Sequence, residues 1–220
     1  MLDRSGYFET VTLSEDDLKR NDMYRANAQR VKAQSRFADY HEYLLSLEMT
    51  AEIGDFSPLY LQRITQLTNK SNQFNLTTKR YTAEQMEAVY NSDEYIRLYG
   101  KLYDKFGDNG VVAVTIGKTD SEDKGRLDIE LWLMSCRVLK RDMELAMLDS
   151  LVEQAKKRGI REIYGHYYPT AKNKMVAGLY ESFGFEKISQ DEEGNTAWRL
   201  LVEGYKDKNT VINVKEEHYA

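Results

Sequence analysis

Cysteine is nearly absent. Cys136 stands alone among 220 residues, so an internal disulfide is excluded. Histidine is almost as scarce, and His41, His166 and His218 lie too far apart to complete a structural zinc spacing with one thiol. Proline occurs only at Pro58 and Pro169, and no glycine lies between Phe8 and Ile53, so the opening stretch lacks the residues that interrupt helices. No apolar run approaches the ~20 residues of a membrane span, and no signal-peptide core is visible, so the expected setting is cytoplasmic with no membrane partner. Against 36 acidic residues stand 31 Lys and Arg, a net charge of −5. That balance argues against nucleic acid as a partner and leaves only local basic patches.

Tyrosine, in contrast, is abundant: sixteen residues, several in alternating runs such as "YIRLYGKLY". A glycine-free polar opening followed by alternating, tyrosine-rich segments predicts a helical piece over residues 1–50, an α/β domain over 51–203, and a charged, loosely held tail over 204–220. Ser14 with Glu15, Asp16 and Asp17 reads as a helix start. Helix is expected through "DDLKRNDMYRANAQRVKAQ" and again through "RFADYHEYLLSLEM". The first of these has few apolar anchors.

From Thr50 the periodicity changes. "TAEIGDF" reads as a strand. Ser57-Pro58 opens a helix striped by Leu61, Ile64 and Leu67, and Thr82 with Gln85 forms a capping box for another. Two alternating strands flank "GDNG", with Asp108 and Asn109 expected in the turn. "RLDIELWLMSC" should place Leu127, Ile129, Leu131 and Leu133 on one face and Asp128, Glu130, Trp132, Met134 and Cys136 on the other. "DMELAMLDSLVEQAKKRG" is an amphipathic helix closed by Gly159. The next strand, "IREIYGHYY", should run parallel to the one before that helix. "TAKNKMVAGLYESFG" reads as a last helix, and "FEKISQDEEGNTAWRLLV" as a last hairpin.

This order, together with "LYESFGF" at 179–185, resembles the Gcn5-related N-acetyltransferase (GNAT) proteins. The resemblance implies an α/β fold, a mixed sheet flanked by helices, here with an N-terminal helical extension. It also implies two neighbouring parallel strands, 127–136 and 161–168, splayed at their C-terminal ends around a pantetheine arm. GNAT proteins bind the acyl-CoA pyrophosphate with a loop resembling [QR]-x-x-G-x-[GA]. Here Arg137-Val138-Leu139-Lys140-Arg141-Asp142 corresponds. The arginine is kept, while Lys140 and Asp142 replace both glycines, and Asp142 sets a negative charge where an anion would lie.

A narrower resemblance covers most of the chain. "TNKSNQFNLTTKRYT", "DKFGDNGVVAV", "WLMSCRVLKR" and "YYPTAKN" occur in order in FkbH-like proteins, which join a haloacid-dehalogenase-like (HAD) domain to a GNAT-like one. It implies movement of a glyceryl-type or related acyl unit, through a cysteine thioester, onto the phosphopantetheine of an acyl carrier protein. No Asp-x-Asp segment of a HAD domain is present. The chain therefore reads as a fragment or a stand-alone C-terminal half, with a separate HAD-like domain as a further expected partner. Two alternatives stay open: an acyl-CoA-dependent GNAT N-acyltransferase using coenzyme A, and a non-catalytic carrier-protein docking domain. No metal is expected.

Within this frame Cys136 is the expected nucleophile, since a helix N-terminus and the basic Arg137, Lys140 and Arg141 favour thiolate. The plainer reading is a small buried side chain. His166, on the neighbouring strand, is the expected base, or else a strand histidine bonded to a tyrosine. Asn173 is expected to orient His166 or bind substrate, or simply to cap a helix. Tyr180 stands where GNAT enzymes carry a general acid, or is core. Asn72, Gln73, Asn75 and Thr77, with Arg137 and Tyr180, are the expected substrate-binding set, amides and hydroxyls being suited to a polyhydroxylated acyl group or to a self-satisfied turn. Lys140, Arg141 and Lys172 are the expected phosphate ligands.

Overall fold

The computed structural model describes residues 15–216, so the Ser14 helix start and His218 lie outside the described residues. The chain divides between Tyr43 and Leu44 into two units. The first contains α1 (Glu15–Gln34) and the start of α2 (Tyr40–Ser46). A second helix was expected from Arg36, but α2 begins only at Tyr40. Asp39 sets that start, its carboxylate accepting the Glu42 N–H at 2.8 Å. His41 is exposed.

The second unit runs β1 (Thr50–Gly54), α3 (Pro58–Lys70), β2 (Phe74–Asn75), α4 (Ala83–Tyr90), β3 (Tyr95–Asp104), β4 (Gly107–Thr119), β5 (Arg126–Met134), α5 (Met143–Lys157), β6 (Glu162–Tyr167), α6 (Leu179–Ser182), β7 (Glu186–Gln190), β8 (Thr196–Leu201) and β9 (Asn213–Glu216). Among the described residues, the strands form one mixed sheet in the order β7-β8-β6-β5-β4-β3-β1-β9, with β2 attached to β5.

Local sequence accounts for much of this. Pro58 opens α3, although Ser57 contributes no side-chain cap bond. The Thr82–Gln85 capping box forms in both directions, at 3.2 and 2.9 Å. On one sheet face Ile64, Leu67, Met86 and Val89 close over Val114, Ile116, Leu131 and Leu133. The buried stripe of α5 runs through Ala146, Leu148, Leu151, Val152 and Ala155. Under α6, Trp132 packs against Phe183 (ring centroids 5.3 Å apart) and Tyr180 against Phe185 at 5.0 Å.

Four expectations are corrected. The β3–β4 turn falls at Lys105-Phe106, and "GDNG" lies inside β4, where the buried Asn109 side chain donates to the Leu102 carbonyl at 3.1 Å. The two-faced alternation of β5 is broken. Its partner on β4 shifts from Leu131 opposite Ile116 to Ile129 opposite Gly117, so Glu130 is an extra, bulged residue. The helix expected over 170–184 is split into a 3-10 turn at Lys174–Val176 and the short α6, with Gly178 between them. Side chains of Thr170 and Asn173 satisfy backbone groups that a longer helix would use. Finally, the described part of the expected loose tail, up to Glu216, is tied down. Asp149 of α5 accepts from Tyr205 Oη (2.5 Å), Lys208 N and Asn209 N, and β9 pairs in parallel with β1.

Gly165 in β6 shows how closely α6 approaches. A methyl group there would lie 2.3 Å from the Tyr180 ring. Because that ring is wedged among Trp132, Phe185 and Trp198, Gly165→Ala should destabilise the fold by about 1–3 kcal/mol. A urea titration that leaves the midpoint unchanged would contradict this packing.

Candidate functional site

β5 and β6 are paired for three residues only, Arg126 with Glu162, Leu127 with Ile163 and Asp128 with Tyr164. Beyond Asp128 they diverge, where the Glu130 bulge redirects β5. Asp128 holds this point together. Its carboxylate receives a two-pronged bond from Arg126, 2.7 Å on each arm, and lies 3.2 Å from His166 Nε2. Arg126 also stacks on the Tyr164 ring at 3.9 Å. Burial would raise the Asp128 carboxyl, but the His166 hydrogen bond and then the Arg126 bonds and charge outweigh it and hold the group below its ordinary range. A second acid follows on the same strand. Glu130 pairs with Lys79 and accepts from Tyr81 Oη at 3.1 Å. Burial, then the Glu130 charge, drives the Tyr81 phenol far above its usual value. Both carboxylates and His166 keep about a quarter of their side-chain surface exposed, 25%, 23% and 27%.

The interval between the diverging strands is filled by the connection from α3 to α4. Phe74 and Asn75 pair antiparallel with Met134 and Leu133. Leu76 N–H donates to the Trp132 carbonyl at 3.1 Å, and the Leu76 carbonyl accepts from Tyr168 N–H at 2.9 Å. Thr77 Oγ1 donates to the Glu130 carbonyl at 2.8 Å. This strap is the main feature that sequence reasoning missed. The only hint was "FNLT", an alternating run too short to separate from a loop. Asp128 and Glu130 were also passed over, because acids alternating along a strand read as a solvated face.

The expected site residues scatter. Cys136 is exposed, in the 3-10 turn Cys136–Val138 beyond the end of β5. His166 lies two residues short of Tyr168, which bridges through Leu76 to the level of Trp132. His166 bonds to Asp128, while Cys136 lies in its own turn beyond the end of β5, and no hydrogen bond joins the two, so the structure does not form the expected dyad. Asn173 is fully buried and does not reach His166. Its amide donates to the carbonyls of Asn75 (3.0 Å) and Tyr168 (2.9 Å), and its oxygen accepts from Thr170 N–H at 2.7 Å. It is a latch for the strap, not a group at a reacting centre. Asn75 is buried, bonded to Ser71 and Thr78. Asn72 accepts from Arg80, Gln73 is exposed, and Thr77 is taken up by Glu130. Four of the expected substrate ligands therefore belong to the strap or its hinge. Tyr180 is entirely buried.

The 137–142 loop is reshaped as well. Lys140 (φ 62°) and Asp142 (φ 59°) hold left-handed backbone, the conformation glycine adopts without strain, at both positions where the GNAT loop has glycine. Arg141 is turned inward, 3.0 Å from the fully buried Asp104 carboxylate, and is not a phosphate ligand. Arg137 Nε donates to Ser135 Oγ at 3.3 Å, while Lys140 and Lys172 are exposed. In the first turn of α5, burial pushes the Glu144 carboxyl up to about 7, against the pull of its own N–H and with Asp142's charge adding to the rise. One of its oxygens is buried without a hydrogen-bond partner. No metal-binding cluster of His, Cys, Asp and Glu occurs among the described residues, and no described helix is long and apolar enough to cross a membrane.

Solved structures share this architecture. The ribosomal-protein-S18-alanine N-acetyltransferase of Escherichia coli aligns with a TM-score of 0.52 at 13% identity, over 73% of this chain and 99% of that one. A putative acetyltransferase from Salmonella typhimurium, solved with its cofactor acetyl-CoA, gives 0.52 at 14% identity, over 74% and 99%. The GNAT domain of S. lividans PAT gives 0.53 at 14%, over 68% and 89%. At such identities the likeness is one of fold, and the fold is that of the GNAT proteins. No protein-family model and no curated relative matches the chain.

A coenzyme A arm, which this fold implies, would meet an edge of β5 that the strap already occupies. The backbone groups of β5 that face the gap are already bonded to the strap, and the helix N-terminus that corresponds to the diphosphate site carries Asp142 and the half-buried Glu144.

The two shifted carboxyls act on stability in opposite directions. Asp128, lowered in the fold, stabilises above the ordinary carboxylate range, and that contribution is lost as acid protonates it. Asp128→Asn should therefore flatten the acid limb of a pH–stability curve. Glu144, raised to about 7, keeps a proton that the unfolded chain releases near pH 4.5, so stability falls as pH rises between the two values. Glu144→Gln should abolish that slope and be more stable at pH 8 by about 1–3 kcal/mol, measured by urea unfolding.

Proposed function

We propose that this chain is an acyltransferase that moves an acyl group from a thioester to a nucleophile docked at the divergence of β5 and β6. One observation carries the reading: on a GNAT scaffold, His166 Nε2 lies 3.2 Å from Asp128 Oδ1 at the point where the parallel pair ends. Donating Nε2–H to Asp128 fixes the tautomer that leaves the Nδ1 lone pair for a proton. The acceptor amine or hydroxyl attacks the thioester carbonyl, its proton passes to His166 Nδ1, and the C–S bond breaks to release thiolate. Asp128 steadies the imidazolium so formed, and Arg126 keeps Asp128 ionised. His166→Gln should lower kcat by about 10²–10⁴-fold with little change in KM. Unchanged turnover, in an assay pairing an acyl thioester with a panel of amines and hydroxy acids, would remove His166 from the mechanism.

The exposed thiol of Cys136, followed by Arg137, favours a second reading. Here a glyceryl-type acyl unit is parked on Cys136 as a thioester and then taken by the phosphopantetheine thiol of an acyl carrier protein, with a HAD-like domain supplying the loading step. In that version His166 stays bonded to Asp128 and makes no hydrogen bond to Cys136. Incubation with a holo carrier protein and candidate donors should add one acyl mass to the wild type and none to Cys136→Ser. Equal transfer by both would leave the direct reaction alone standing.

A further inference from the structure

A gap between two parallel strands can be held open only if something else bonds their exposed backbone. In this chain the occupant is the chain itself. Phe74 and Asn75 lie along β5 as a two-residue strand and the chain bends at Leu76 and Thr77, with Leu76 N–H donating to the Trp132 carbonyl on one side and the Leu76 carbonyl accepting from Tyr168 N–H on the other. We propose that this strap stands in the place of the donor's extended amide arm and is displaced by it, so that strap and arm compete for one edge of β5. The inference rests on the acyl-transfer reading for its ligand class, a pantetheine-type thioester arm.

Three observations support displacement over a permanent seal. The backbone attachment is short, a two-residue strand and four further hydrogen bonds from Leu76, Thr77, Tyr168 and Asn173, although Phe74 and Leu76 are buried and must leave the core when the strap moves. Its exit is strained, since Thr78 holds φ at 56°, a left-handed conformation that a β-branched residue adopts only at a cost. And the strap satisfies the gap incompletely. Trp132 Nε1, beside the divergence, is buried without a hydrogen-bond partner, as is Thr115 Oγ1 on the strand opposite it. Buried donors are seldom left so, which suggests an occupant with acceptors that the strap lacks.

Amide hydrogen exchange on the intact chain tests this without an activity assay. The Leu76 amide should exchange through local opening, at least 100-fold faster than Leu131 in the core of β5. Thr77→Val, which keeps shape and deletes one bond, should speed Leu76 exchange about tenfold. Pantetheine and coenzyme A, titrated by calorimetry, should bind the variant about tenfold more tightly than the wild type, with loss of Leu76 protection on binding. Leu76 exchanging only with global unfolding would overturn the proposal, as would probe binding that leaves Leu76 protected, or no binding of either probe to either protein at millimolar concentration. A chain whose strap yields to pantetheine but which transfers no acyl group would sink the acyltransferase reading and leave the gate intact.

Discussion

When two hydrogen-bonded strands part inside a protein, every N–H and C=O on the facing edges must find another partner. That requirement governs this molecule from Asp128 onward. It explains why a short segment between α3 and α4, unremarkable by pattern, becomes a strand. It explains why Asn173 is buried with both of its amide hydrogens committed, one to the strap and one to the end of β6. It also explains why the amide- and hydroxyl-rich stretch around Asn75 and Thr77 turns inward to the backbone and not outward to a ligand.

The divergence also creates the chemistry. A paired β6 would bury its His166 edge against β5. Parted, the strands leave Asp128, Glu130 and His166 each about a quarter exposed, at 25%, 23% and 27%, dry enough for their charges to matter and open enough to meet a substrate. Arg126, Lys79 and Tyr81 keep the two acids fixed and separately partnered. In the 137–142 loop, which corresponds to the GNAT phosphate loop, Lys140 and Asp142 stand where glycines are expected and adopt left-handed backbone. What has changed is its electrostatics: Arg141 is spent on Asp104, and α5 begins with acids.

Features set by neighbouring residues were legible before any coordinates. The Thr82–Gln85 box and the stripe of α5 follow from spacing within a single helix, and the parallel pairing of β5 with β6 follows from the one helix that joins them. Cys136 and His166 were both placed near strand ends correctly, yet their partnership fails. The comparison of heights assumed an unbroken β5 lying directly against β6, and a bulge with an intervening strap removes both conditions. Asn109 and Arg141 failed as turn residue and phosphate ligand for a related reason, since each is completed by a group more than thirty positions away along the chain.

The sequence by itself therefore determined the GNAT order of elements and the residues that cap and stripe them, because those depend on local periodicity and turn chemistry. Only the tertiary structure decided what fills the gap, which acid holds His166, and which cations remain for an anion. Those outcomes depend on backbone groups and charges brought together from remote segments, and the energy that settles them, the need to satisfy buried polar atoms, leaves no periodic trace in the chain.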